Sequence, residues 1–355
     1  SSELLSLVRA AARLKTSSYG PLFVCAANPW APFGGIDEIT ENRVGATELI
    51  VEAFVGETES AALNLFNFGG SPKSLRVTMR DFQHENGTAT FPASRAVTFH
   101  EVQEVPTITL RVPSNDALPT LNQASILLVP AWEARQLWLN INSAELTPGV
   151  WTTALNLRSV EADRLELTVP LRVTIWKSAL PKKHPLRLCH WGYVPSSVLK
   201  DQPDAALEDQ VQHGTNVFVG SFHPQAKYNE IGEIVGEIDF ASHDDYVRHH
   251  APHGIILFCG YQGSLQGPGG QDSAAYRKAY VTWMRAWVQH LKELGVDYNG
   301  FALYPVDEVG LFPNLIHEYL RCAKLAREAD PNIRMYCNPT AGNTMEELRT
   351  LRSEE

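Results

Sequence analysis

Long apolar runs are missing from this chain. None approaches the roughly 20 residues needed to span a bilayer, and the first fifteen residues, "SSELLSLVRAAARLK", read as an amphipathic helix that lacks the apolar core of a signal peptide. The expectation is a soluble chain without a membrane span. Positive charge is also in short supply. Thirty Lys and Arg stand against forty Asp and Glu, a formal net charge of -10, and the one basic cluster is the short "PKKH" of residues 181–184. That balance disfavours nucleic acid and other polyanions as partners. Cysteine is sparse: Cys25, Cys189, Cys259, Cys322 and Cys337 form no CxxC pair, and three of the five lie inside apolar runs. Buried free thiols are expected rather than a disulfide framework. What remains is ordinary globular composition, 355 residues with 44% hydrophobic and 20% charged, enough for two domains or one large one.

Two rhythms divide the chain. From about residue 46 to 177, short alternating runs such as "ELIVEAFVG", "KSLRVTMRDF", "TITLRV", "ARQLWLNIN" and "LELTVPLRVTIWK" are separated by turn residues. Period-2 alternation of this kind predicts an antiparallel β-sandwich over 46–182, after a helix and lead-in segment over 1–45. In "LNLFNF" the phase slips, so Phe66 and Phe68 join the face of Leu63 and Leu65 only through a bulge. Pro181 and Pro185, set among basic residues, read as a stiff linker with the boundary near residue 182. Beyond it, single apolar strands alternate with long helical patterns. The strands read are 186–191, 215–222, 254–261, 298–308 and 333–339, and "AAYRKAYVTWMRAWVQHLKELG" is the clearest helix. Repeated strand–helix units predict a (β/α)8 TIM-type barrel over 183–355, incomplete after about five strands and expected to continue beyond residue 355, with an open sheet as the alternative.

Barrel sites form at the C-terminal strand ends. That rule collects His190, Trp191 and Tyr193 after the first strand, Ser221 and His223 after the second, and Tyr261 with a glycine-rich loop after the third. Asp307 and Glu308 follow the fourth strand, and Asn338 the fifth. "HDDYVRHHAPH" (243–253) falls on the opposite face. Asp245 and His249, one turn apart there, could offer two metal ligands, but a polar helix face is the expectation and no metal or organic cofactor is predicted.

The stretch "GFALYPVDEVG" (300–310) runs a buried strand into two adjacent carboxylates. A solvated turn is the plain alternative. Strand-end position argues instead for catalysis, and adjacency limits the mechanism. Two carboxylates that flank an anomeric carbon stand about 5 to 5.5 Å apart in retaining glycosidases and about 6.5 to 9.5 Å in inverting ones, which neighbours on one strand end do not readily achieve. A general acid, Glu308, beside a carboxylate that orients a 2-acetamido group as internal nucleophile, Asp307, fits adjacency better. Like charges side by side also favour the protonated form of one partner, as a proton donor requires.

These features together resemble glycoside hydrolase family 123 and related sandwich-plus-barrel proteins. The likeness rests on "GETESAALNLFNFGGSPKSLRVTM", "LTPGVWTTALNLRSVEADRLELTVPLRVTIWKSALP" and the strand end "YPVDE", with Val309 where the family motif usually carries proline. It implies a retaining β-N-acetylgalactosaminidase that uses substrate-assisted catalysis, with Asp307 as the acetamido-orienting stabiliser and Glu308 as general acid/base. Trp191, Tyr193, Tyr261 and Tyr304 are candidates to stack on or hydrogen-bond a sugar. Two rivals remain: a glycosidase whose separate nucleophile lies beyond residue 355, and a non-catalytic carbohydrate-binding or surface-assembly module. A carbohydrate partner in either case suggests a secreted, periplasmic or cell-surface location.

Overall fold

The computed structural model describes residues 22–35, 48–106, 113–163, 165–181, 185–191, 194, 199–260, 269–339 and 343–352. The expected N-terminal helix and the run "TITLRV" therefore lie outside the described residues. The chain divides into two compact units, residues 1–182 and 183–355.

The first unit is built from strands β1 (Leu22–Ala27), β2 (Leu49–Val55), β3 (Thr58–Asn67), β4 (Lys73–Met79), β5 (Phe82–His84), β6 (Thr90–Phe91), β7 (Val97–Glu101), β8 (Gln103–Pro106), β9 (Pro113–Ala117), β10 (Ile126–Val129), β11 (Ala134–Asn142), β12 (Gly149–Ser159) and β13 (Glu166–Ala179). One sheet runs β1-β3-β11-β7 and a second β10-β4-β12-β13-β2, with β5 and β6 appended to β12, while β8 and β9 pair separately. Alternation in β13 shows why they pack. Leu167, Val169, Leu171, Val173 and Ile175 are all buried on one face, between exposed Thr168, Pro170 and Arg172. They share a core with Leu63 and Leu65 of β3 and with Leu137, Leu139 and Ile141 of β11, which come from the other sheet. Each such side chain contributes roughly 1.5–3 kcal/mol on burial.

Two details differ from expectation. Strand β2 pairs with β13 in parallel, while the other ladders of its sheet are antiparallel. The chain leaves β2 for the opposite sheet through the turn at Gly56, where φ is +87, so β2 is free to lie along β13 in the same direction. No bulge is needed at Phe66 either. The register of β3 is continuous against both β1 and β11, and Phe66 and Phe68 instead form a small cluster with Cys25 and Ala134, separate from the core of Leu63 and Leu65.

In the second unit four parallel strands, β14 (Cys189–His190), β15 (Val217–Gly220), β16 (Ile255–Cys259) and β17 (Phe301–Tyr304), lie side by side in chain order. Among the described residues five helices accompany them: α1 (Pro203–Gln212), α2 (Ala241–His250), α3 (Ala274–Glu293), α4 (Pro313–Ala329) and α5 (Met345–Arg352). Ser273 caps α3 by accepting from the Tyr276 N–H at 3.0 Å, and Gly295 with φ +83 follows its end. The apolar stripe of α3 places Tyr280, Met284 and Trp287 wholly out of solvent in the core of this unit. The expected first strand shrinks to two residues, both exposed. The expected fifth strand is a single parallel bridge, Leu303 to Met335, held by Leu303 N–H to Arg334 O (2.9 Å) and Tyr336 N–H to Leu303 O (2.8 Å). Its alternating burial, Met335 and Cys337 inside and Tyr336 exposed, is that of a strand that touches its sheet at one point.

No helix among the described residues is long and apolar enough to cross a membrane. None of the five cysteines is joined in a disulfide. Cys25, Cys322 and Cys337 are buried, Cys259 is half-buried, and Cys189 is exposed.

Candidate active site

The site begins with a change of solvent exposure along a few residues. Phe301, Leu303, Tyr304, Pro305 and Val306 are buried, Asp307 and Glu308 are exposed, and Val309 is again fully buried. Val306 and Val309 both belong to the core of the second unit. Two exposed carboxylates are thus pinned on each side by core side chains, which a freely solvated turn would not require. Glu308 has φ +45, the left-handed region. That conformation costs a non-glycine residue about 1–2 kcal/mol and is found where surrounding structure enforces it.

Below the pair sits Tyr304. Its ring is wholly buried, with the edge of Trp191 at 5.8 Å and that of Tyr336 at 5.0 Å between centroids. Its hydroxyl donates to Asp307 Oδ1. Burial first, and then this bond to a carboxylate, push the phenol well above the ordinary tyrosine range, while the Asn338 side chain and the Glu308 backbone N–H favour its oxygen as acceptor. Tyr304 therefore remains a phenol at physiological pH and serves Asp307 as a fixed donor. With its ring wholly buried, Tyr304 has no face to offer a pyranose for stacking. Cys259 at the end of β16 lies near enough to Asp307 to feel its charge. Its thiol is pushed up by burial and then by the Asp307 charge.

Of the residues expected at the site, the structure gathers Trp191, Tyr304, Asp307, Glu308 and Asn338. His190 is exposed and meets Gln210 of α1 at 3.2 Å. His223 is half-buried and lies close enough to His243 for like-charge repulsion. Tyr193 and Tyr261 lie outside the described residues, as does most of the glycine-rich loop after β16. Tyr336 and Cys259 were not anticipated. For Tyr336 a signal existed, since it shares a phase with Asn338 two residues on.

The histidine-rich helix departs further from expectation. His243 is buried without solvent contact, and α2 is not simply a polar face. Trp287 Nε1 donates to His243 Nε2 at 2.8 Å, His243 Nδ1 meets Asp244 Oδ1 at 3.1 Å, and His290 Nε2 meets the same oxygen at 2.8 Å. Indole N–H is a donor and nothing else, so His243 Nε2 must carry the lone pair and Nδ1 the proton. His243, Asp244 and His290 are close enough to hold a cation, but both nitrogens of His243 are spent, and the arrangement pins α2 to α3 instead. The sequence pair considered as metal ligands does not assemble: Asp245 is exposed beside Arg248, and His249 pairs with Asp204 at 3.2 Å.

Burial, the largest influence, holds His243 below the ordinary histidine range, as it does His223 and His250. Their folded pKa values lie below the unfolded value near 6.5. The stability they contribute is complete above that value and is lost as pH falls from it toward the folded values, by about 1.4 kcal/mol per pH unit for each histidine within the window. Melting temperature is expected to fall between pH 7 and pH 5, and to fall less steeply in His243→Gln. An unchanged slope in that variant would show that His243 does not drive it.

Compared with protein-family models the chain matches none, and compared with curated sequences it likewise matches none. Compared as a structure, it is similar to a family 123 glycoside hydrolase from Clostridium perfringens studied for glycolipid glycan hydrolysis, with TM-score 0.63 and 12% identity over 86% of this chain and 60% of that one. The likeness is one of fold. This chain spans three-fifths of the length of that hydrolase. PapD-like domain 7 of human CEP192 (TM-score 0.23, 11% identity, 38% of this chain and 84% of that one) matches far more weakly. So does a Bacteroides ovatus GH5 xyloglucanase (TM-score 0.24, 6% identity, 81% of this chain and 61% of that one).

Proposed function

We propose that this protein is a glycoside hydrolase that removes terminal β-linked N-acetylhexosamine, with N-acetylgalactosamine favoured, by substrate-assisted catalysis with retention. In this reading the first unit is a β-sandwich over 46–182, and the parallel strands of 183–355 are one arc of a (β/α)8 barrel. The observation that carries the reading is the Tyr304 hydroxyl bonded to Asp307 beside Glu308. A donated O–H sets the orientation of Asp307, and such an acceptor can take the N–H of a 2-acetamido group and stabilise the positive charge that develops as its carbonyl oxygen attacks the anomeric carbon. Glu308 protonates the departing glycosidic oxygen and then, as carboxylate, takes the proton from the water that opens the oxazolinium ion. Trp191 and Asn338, gathered at the same strand ends, supply an apolar face and an amide for the sugar rim. The fold likeness to a family 123 hydrolase supports the same class of reaction.

The test is hydrolysis of aryl β-glycosides of N-acetylgalactosamine, N-acetylglucosamine, galactose and glucose by the full-length protein, with Glu308→Gln as control. Turnover confined to the 2-acetamido sugars and lost in the control is expected. Turnover of the plain sugars would refute the role given to Asp307, and silence on all four would refute the reading as a hexosaminidase.

A further inference from the structure

A second ligand site is indicated in the first unit. Residues Pro130–Glu133 form a tight turn closed by Glu133 N–H to Pro130 O at 3.3 Å, and Trp132 occupies its third position with φ +61. That position favours glycine, because a side chain there meets the backbone carbonyl. Yet the chain places its bulkiest side chain there and leaves the indole 54% exposed. Trp132 and Phe33 line a groove of about 590 Å³ together with Glu101, Glu104, Glu133 and Arg135, a size within the range of about 300–1,000 Å³ usual for small-ligand sites. Arg135 meets Glu133 at 2.8 Å and Glu101 at 3.6 Å, so one guanidinium holds two carboxylates in place. Asn115 on β9 donates to the Phe33 carbonyl at 2.8 Å, which ties the hairpin of β8 and β9 to the Phe33 side of the groove.

We propose that this groove binds a neutral oligosaccharide. The apolar C–H face of a pyranose matches an exposed indole, and its hydroxyls can donate to the fixed carboxylates and accept from the guanidinium. Charge selects the class. Three carboxylates against one guanidinium repel phosphate, sulfate and uronate groups, while the guanidinium between two of those carboxylates opposes an entering cation. A polyhydroxyl ligand without net charge suits both signs. The site belongs to the first unit and does not depend on the chemistry of Asp307 and Glu308, so it would hold substrate, or the polymer that bears it, independently of turnover.

Isothermal titration of the full-length protein with mannotetraose, cellotetraose, xylotetraose and lacto-N-tetraose, none of which ends in an N-acetylhexosamine, tests the proposal. At least one of them is expected to bind with a Kd below millimolar and to bind equally to Glu308→Gln. In Trp132→Gly the affinity is expected to fall at least about tenfold, while the melting temperature holds or rises, because glycine relieves the left-handed backbone. That pairing separates a ligand contact from a structural role. Hydrolysis of aryl glycosides should be the same in Trp132→Gly as in wild type. No heat with any of the four, binding that survives Trp132→Gly, or binding abolished by Glu308→Gln instead would each overturn the proposal. So would Trp132-dependent binding of an oligolysine peptide in place of the saccharides.

Discussion

Asp307→Asn is expected to reduce kcat/KM for an aryl 2-acetamido-β-glycoside by about a thousandfold, or roughly 4 kcal/mol of transition-state stabilisation. The geometry gives the reason. Asp307 accepts the Tyr304 hydroxyl and lies beside the half-buried Cys259. An asparagine carbonyl can still accept from Tyr304, so the fold should survive, but the carboxylate that faces a developing oxazolinium in the proposed mechanism is gone. If a separate carboxylate were the nucleophile, this change would cost little, because Asp307 would then only border the sugar. Tyr304→Phe gives the companion result. Removal of the donor leaves Asp307 free to rotate, so a loss nearer tenfold, mostly in kcat, is expected. Equal losses in the two variants would mean that Tyr304 does more than orient its partner. Steady-state kinetics on purified, folded variants decides between these outcomes.

The second large effect concerns stability. Trp287→Ala is expected to lower the stability of the second unit by about 3–5 kcal/mol from the cavity alone, with a further 1–3 kcal/mol from a buried His243 that loses the donor to its Nε2. Trp287 has no solvent contact, packs on Phe258 at 4.9 Å and on Trp283 at 4.9 Å, and bonds His243 across 44 residues of sequence. Trp287→Phe should recover most of the packing and none of the hydrogen bond, so the difference between the two variants isolates the cavity contribution. Denaturant melts followed by far-UV circular dichroism measure it. A loss below about 1 kcal/mol for the alanine variant would contradict a core centred on α3.

How much of this could be read from residue order depends on the range of the interaction that decides it. Strand β13 was legible because its five buried side chains alternate locally with polar ones, and α3 because its apolar residues repeat at helical spacing within twenty residues. The pairing of β2 with β13 was not, since parallel and antiparallel neighbours demand the same alternation and only the path of the chain between sheets separates them. Placement of Asp307 and Glu308 followed from a buried strand that runs into charge. The role of Tyr304 did not, because phase marks it as part of a strand end without saying whether its ring will be roofed by Trp191 and Tyr336. His243 shows the same limit in a sharper form. Its neighbours in sequence are Asp244 and Asp245, which suggest solvent, while the partner that fixes its tautomer, Trp287, comes from another helix. Polar residues are buried when a distant partner satisfies them, and short-range pattern is blind to that partner.

The measurement that bears most directly on the central claim is a substituent series on the nucleophile itself. Aryl β-glycosides that carry N-acetyl, N-fluoroacetyl, N-difluoroacetyl and N-trifluoroacetyl groups differ little in shape and steeply in the electron density of the carbonyl oxygen. If that oxygen attacks the anomeric carbon in a site organised by Asp307, log kcat/KM for the full-length protein should fall progressively along the series by several orders of magnitude. A rate that stays level across the four substrates would place the nucleophile elsewhere and contradict the account.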